Sequence, residues 1–439
     1  MGHIVNVDRE YRLLQQRLDR NVTGAPDSPT FMKILRLLFA PEEAQLARRI
    51  PSQPTPLGAL SRRLDMPEDE LCDKLIDMAR RGLVVDLERN GRRYFFLTPV
   101  VVGFFEFTFM RARDDLPMAE LARLFEQYFN QDDRFARSVY QGQTQVGRRL
   151  IREEALPEGD HTEILDWERA SRIIETASSI GVSLCPCRHE LSHLGEACDK
   201  PQLTCLSLNY AADTLIRNGI AESITTQEAI RILEQCKEAG LAQTGDNVQR
   251  KPTYICNCCG CCCEMMRAIR GFGIDNAIVT SNWIARIDTE KCTGCGECAK
   301  ACPIDVIEIV KGGSSDSQDD QNGKHAVVDE SLCLGCGVCY SACKFGSLGM
   351  KSRTRRVFTP ENVFERVVTM CVERGKLADL VFDDPTRLSQ RALLRIVRVL
   401  ERASVFKAAM AVEPLKSVFL KQIVREGKRR AGRFSEVLE

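Results

Sequence analysis

The residue type that carries most chemistry in this chain is cysteine: 21 in 439 residues, against only 5 histidines. Eight of them lie in two segments that match at an offset of 41 residues. One segment reads Cys292-Thr-Gly-Cys295-Gly-Glu-Cys298-Ala-Lys-Ala-Cys302-Pro303, and the other reads Cys333-Leu-Gly-Cys336-Gly-Val-Cys339-Tyr-Ser-Ala-Cys343-Lys344. Each has the C-x2-C-x2-C-x3-C spacing with which thiolates grip a cubane iron–sulfur cluster. Gly294, Gly296, Gly335 and Gly337 free the backbone to wrap tightly and turn N–H groups toward sulfur. Zinc also binds thiolates, but a repeated four-cysteine run points to iron and sulfide.

Ten further cysteines lie upstream: Cys185-Pro-Cys187-Arg188-His189, then Cys198 and Cys205, then Cys256-Asn-Cys258-Cys259-Gly260-Cys261-Cys262-Cys263. Six thiols in eight residues make no hydrophobic core, and in a reducing compartment they call for a soft metal rather than disulfides. Ten thiolates can serve two cubanes with two to spare, one cubane with many spare, or a less regular assembly. A subset of them is therefore expected to hold one or two additional iron–sulfur clusters. Arg188, beside two thiolates, can stabilise an anionic cluster. His189 and His193, four residues apart, are read as polar neighbours rather than ligands. Cys72, Cys236 and Cys371 stand alone and are read as small buried hydrophobes.

The elements that must position these thiols can be read from caps and periodicity. Ser28-Pro29 starts a helix with Phe31, Ile34, Leu35 and Leu38 on one face. Further helices begin at Pro41, Thr55-Pro56 and Pro67, and two strands, Leu83 to Leu87 and Arg92 to Leu97, join around Asn90-Gly91. Helices followed by such a hairpin resemble a winged helix-turn-helix domain. Between Leu57 and Leu97 eight basic and eight acidic residues cancel, and Glu68, Asp69 and Glu70 put carboxylates where phosphates would approach. Protein docking or a scaffold role is expected there, not DNA binding. Helices cover most of residues 100–180, and two more, Ser207 to Arg217 and one from a Thr225–Glu228 capping box to Gly240, split the central cysteines.

The paired octets resemble the bacterial two-cluster [4Fe-4S] ferredoxins over about 70 residues. In that family three cysteines of one motif take their fourth partner from the other motif. The resemblance therefore implies one cluster on Cys292, Cys295, Cys298 and Cys343 and another on Cys333, Cys336, Cys339 and Cys302. Two departures stand out. A polar stretch, Gly312 to Lys324, lengthens the link between halves and reads as a mobile surface loop, and Lys344 replaces the proline expected after the last cysteine. The lysine's charge should raise the potential of the Cys292 cluster relative to its partner. The combination of hairpin domain, C-x-C-R-H start, cysteine run and ferredoxin pair resembles multidomain ferredoxin-like proteins of anaerobic bacteria and archaea.

The expected fold is α+β and multidomain. It comprises a winged-helix-like domain (28–100), a helical connector (101–180), a cysteine-rich central domain in a helical setting (181–281), a two-cluster ferredoxin fold (282–352) and a helical, basic C-terminal region (353–439). From Lys351 onward 20 basic and 11 acidic residues leave a net charge of +9, although the whole chain balances 61 against 61. Arg391, Arg395, Arg398 and Arg402 form one stripe of a helix starting at Asp384-Pro385, and Leu393, Ile396, Val397 and Leu400 form another. The basic stripe is either a solvated face or a dock for an acidic partner or membrane surface. No apolar run reaches a membrane span of about 20 residues, and Met1 to Glu10 lacks a signal core, so a cytoplasmic protein is expected. No phosphate-cradling or dinucleotide motif is present, so neither nucleotide nor flavin is expected. The leading functional reading is an electron-transfer protein passing single electrons through several [4Fe-4S] clusters between redox partners, as part of a complex. The alternatives are a catalytic oxidoreductase with a substrate-accessible cluster at the central cysteines, and a redox-sensing transcriptional regulator.

Overall fold

The computed structural model describes residues 7–156, 166–311, 324–383, 388–403, 419 and 422. The Ser28 hydroxyl accepts from the Phe31 N–H at 3.0 Å and caps the helix Pro29–Leu38, whose expected apolar face is buried. Helices Pro41–Ala47, Leu57–Leu64 and Glu68–Arg80 follow, then the hairpin Val84–Arg89 and Arg92–Leu97. Asn90 and Gly91 both have positive φ, as a tight two-residue hairpin turn needs. A short strand, Thr55–Pro56, adds to the other edge of Arg92–Leu97. A first helix, Val7–Asp19, was not anticipated; it packs on Pro41–Ala47.

One apolar core runs from Tyr11 to Val139. The stretch expected as a separate connector after residue 100 contributes its aromatics to this same core. Phe105 meets Phe129 edge-on at 4.8 Å, and Phe129 stacks on Phe135 at 4.5 Å. Aromatic pairs in these geometries add stabilisation beyond area burial.

The central cysteines stand on a sheet, which corrects the expectation of a helical central region. Six antiparallel strands lie in the order Gly147–Arg149, Ala242–Asp246, Tyr254–Cys258, Leu203–Leu208, Ile180–Leu184, Glu222–Ser223. These strands are short and lack alternation; Ala242–Asp246 is buried at every position, so no period of two marks it. The expected helices are present as Asn209–Arg217 and Thr226–Glu238, the second with its capping box intact.

The cysteine repeat folds as two matching halves. Trp283–Ile287 pairs with Leu348–Ser352 and Ile307–Lys311 pairs with Lys324–Val328, while short helices Glu297–Ala301 and Val338–Ala342 follow Gly296 and Gly337. Of the polar stretch Gly312 to Lys324, residues 312–323 lie outside the described residues. The C-terminal region supplies helices Val363–Arg374, Leu377–Val381 and Leu388–Arg402. Asp384-Pro385 and most of the basic tail also fall outside the described residues. Among the described side chains of Leu388–Arg402, Leu394 is buried, whereas Leu393, Ile396 and Leu400 of the expected stripe are exposed.

Candidate metal centres

The eight repeat cysteines gather around two small cavities. Cys292, Cys295, Cys298 and Cys343 line one, and Cys302, Cys333, Cys336 and Cys339 line the other. The local chain shape explains this grouping. Gly294, Gly296, Gly335 and Gly337 all adopt positive φ, and a Cβ on Gly335 would collide with the Trp283 carbonyl. Backbone N–H groups point at sulfur: Ala326 donates to Cys292 at 3.4 Å and Val306 to Cys302 at 3.5 Å. Burial pushes the Cys302 thiol up to about 11, and Cys339 is raised by burial and by the neighbouring thiols. Several thiolates closed in together are costly alone and favourable around a soft cation. The donor set thus suits thiolate-bound iron and sulfide.

The ten central cysteines divide into two groups that the sequence left merged. Six form an arc. Cys185 contacts Cys187, Cys187 contacts Cys263, Cys263 contacts Cys258, Cys258 contacts Cys256, and Cys256 contacts Cys205. Along it the protonation preferences differ. Hydrogen bonds from Cys256 and Cys263, with help from Arg149, hold Cys258 well below the usual thiol range. The contacts to Cys205 and Cys258, plus burial, push Cys256 up. Two neighbouring strands and the starts of two helices assemble this arc: Cys205 and the pair Cys256 and Cys258 sit on adjacent strands, Cys185 and Cys187 at the start of Pro186–Ser192, and Cys263 just before the helix Glu264–Phe272.

The other four, Cys198, Cys259, Cys261 and Cys262, place all their sulfurs within 4.8 Å of one another. Cys259 is drawn down to about 4, first by a hydrogen bond from Cys262 and also by the Arg188 guanidinium. Arg188 is fully buried; it donates to the Asn257 carbonyl at 3.0 Å and to Cys259 Sγ at 3.8 Å. His189 and His193 pack on each other and on Phe109, and His189 Nδ1 lies 2.7 Å from the Phe109 carbonyl oxygen. Cys236 and Cys371 are buried and each is pushed up to about 12 by burial, while Cys72 is half-buried.

Three features were not foreseen. Arg149 is fully buried near Cys258 and Cys263, bonded to Thr244 at 2.6 Å, with Nε and Nη2 lacking any partner. A buried guanidinium left partly unpaired is expensive unless an anion faces it, which an iron–sulfur cluster on the arc would supply. Second, a mostly apolar cavity of about 370 Å³ borders all six arc thiols and extends toward Phe96, Phe105 and Phe129. Glu106 faces it, pushed up to about 8 by burial although it accepts the Gly103 N–H at 2.6 Å. Third, Glu126, Glu190 and Glu264 converge, and Glu190 is buried with both oxygens unpartnered and pushed up to about 9 by burial and the two acids. All three come from long-range packing; the hydrophobic setting of Glu106 within Phe104-Phe105-Glu106-Phe107 was the one local clue.

The two regions touch. Gly260, within the central run, lies so close to Pro303 that a Cβ would overlap the Pro303 carbonyl. Cys258 and Cys263 share one apolar cluster with Ile304, Leu334 and Cys336, and Cys302 packs against it.

Residues 291–347 match the family described as 4Fe-4S dicluster domain. The chain is 30% identical over 97 residues to one component of the Na(+)-translocating ferredoxin:NAD(+) oxidoreductase complex of Acetobacterium woodii, covering 22% of this chain and 26% of that one. It is 50% identical over 30 residues to Ferredoxin-1 of Nitratidesulfovibrio vulgaris, covering 7% of this chain and 48% of that one. The chain therefore spans about a quarter and about half of the lengths of these relatives. No solved structure matches. The chain carries a 4Fe-4S ferredoxin-type domain, an iron–sulfur unit of the electron-transport kind.

Proposed function

We propose that the chain transfers electrons between redox partners within a complex, using two clusters in the ferredoxin-type domain and a further one on the central arc. In this reading one cluster is held by Cys292, Cys295, Cys298 and Cys343, and the next by Cys302, Cys333, Cys336 and Cys339. Such clusters accept and release single electrons at potentials set by net charge, hydrogen bonds to sulfur and exposure. The carrying observation is the apolar cluster in which Cys258 and Cys263 of the arc pack with Ile304, Leu334 and Cys336 and against Cys302, beside the contact of Gly260 with Pro303. The exposed Cys295 lies at the other end of the row and suits exchange with a partner. The likeness to a component of a multi-protein oxidoreductase supports a place in a complex. The N-terminal helices and three-stranded sheet fit a winged-helix arrangement whose exposed Glu68, Asp69 and Glu70 favour protein docking over DNA. The test is Gly260→Val followed by freeze-quench EPR: it should slow reduction of the central site and spare the ferredoxin-type signals. Unchanged kinetics would contradict the route.

The cavity favours a second reading, in which the central site reduces a small apolar molecule. Phe96, Phe105 and Phe129 exclude water, and Glu106 holds a proton at neutral pH where that molecule would lie. Steady turnover of a small acceptor that falls sharply in Glu106→Gln supports this reading; no turnover of any acceptor speaks for electron relay alone.

A further inference from the structure

We propose that Cys198, Cys259, Cys261 and Cys262 hold one tetrahedral divalent ion of the zinc class, not a cubane. The geometry carries this. Four thiolates around one ion with bonds of about 2.3 Å stand at the corners of a tetrahedron with edges of about 3.8 Å. The sulfur separations are 3.7 Å for Cys198–Cys259, 3.7 Å for Cys198–Cys262 and 3.6 Å for Cys261–Cys262. A cubane sets a separate iron behind each thiolate, so its four sulfurs stand much farther apart than sulfurs sharing one ion. The same molecule offers the comparison: among the described residues, no three thiols of either ferredoxin set come within 4.8 Å of one another, nor do any three of the arc.

The surroundings fit a closed structural site. Cys259 and Cys262 are buried against Leu191, Cys236 and Leu241, and Leu194 and Ala197 pack beside them. Four thiolates around a divalent ion leave two negative charges, and the buried Arg188 guanidinium, 3.8 Å from Cys259 Sγ, offsets part of this charge. The ion has no redox chemistry of its own, so electrons pass it by. Its work is to clamp: Cys198 lies 61 residues before Cys259, and joining them ties the loop after Pro186–Ser192 to the run that touches Pro303.

Metal analysis and zinc X-ray absorption on the full chain, purified without oxygen, test this. The expected result is about one zinc per chain with about four sulfur neighbours near 2.3 Å. In Cys261→Ser, at the exposed rim, zinc should be lost or gain an oxygen neighbour while iron and inorganic sulfide stay unchanged. Wild-type protein without zinc overturns the proposal, as does a Cys261→Ser protein that loses iron and sulfide together. Should that variant fail to fold, the wild-type absorption spectrum decides alone.

Discussion

Arg149 shows most directly how one side chain can set the central chemistry. Its charge is buried beside Cys258 and Cys263 with two nitrogens unpaired, so it favours the more negative, reduced state of whatever those thiolates bind. Arg149→Met should lower the midpoint potential of the central site by on the order of 100 mV, somewhat under two tenfold steps for one electron. Lys344 is exposed beside Cys343, and Lys344→Ala should lower the Cys292-group potential by only on the order of 10 mV, as expected of a screened charge. Redox titration followed by EPR reads both. Glu190 makes a pH prediction. Its folded pKa is raised to about 9, so between the ordinary carboxyl range and that value the folded chain binds a proton the unfolded chain has released. Stability therefore falls as pH rises through this window, by up to about 1.4 kcal/mol per pH unit. Glu190→Gln should flatten the decline, giving a higher apparent Tm than wild type at pH 8 and little difference at pH 5. Parallel curves would remove the assignment. At this scale the thiols were legible because ligand spacing is local. Arg149 was not, because strand pairing across nearly a hundred residues brings it to Cys258.

Among the elements, helices announced by a cap were readable: Ser28 and the Thr225–Glu228 box stand where their helices begin. The central strands were not. Ala242-Gln-Thr-Gly-Asp246 is buried along its whole length although three of its five residues are polar, and Gln243 donates to Asn257 at 3.1 Å inside the sheet. Neither alternation nor an apolar run marks such a strand. Close approach of the backbone distinguishes glycines within the ferredoxin-type halves. Gly335 has φ +70° and no room for a Cβ, whereas Gly349 has open space around it. Gly335→Ala should cost most of the iron bound by the Cys333 group, and Gly349→Ala should bind iron like wild type. Iron content and visible absorption of the two purified variants check this.

At the scale of the whole molecule, thiols run in sequence from the exposed Cys295 through the Cys302 group to the arc beside the cavity. No helix among the described residues is long and apolar enough to cross a membrane. Sequence alone separated the eight repeat cysteines from the ten central ones. It could not divide the ten, because the partition between arc and tetrahedral group depends on where the loop bearing Cys198 returns to the sheet. The measurement that bears most directly on electron relay is iron and acid-labile sulfide per chain in anaerobically purified protein, with EPR of the reduced state. The expected result is roughly equimolar iron and sulfide well above the about eight atoms that two cubanes supply, with additional signals coupled to theirs. About eight irons, with every thiol of the arc open to alkylation, would contradict it.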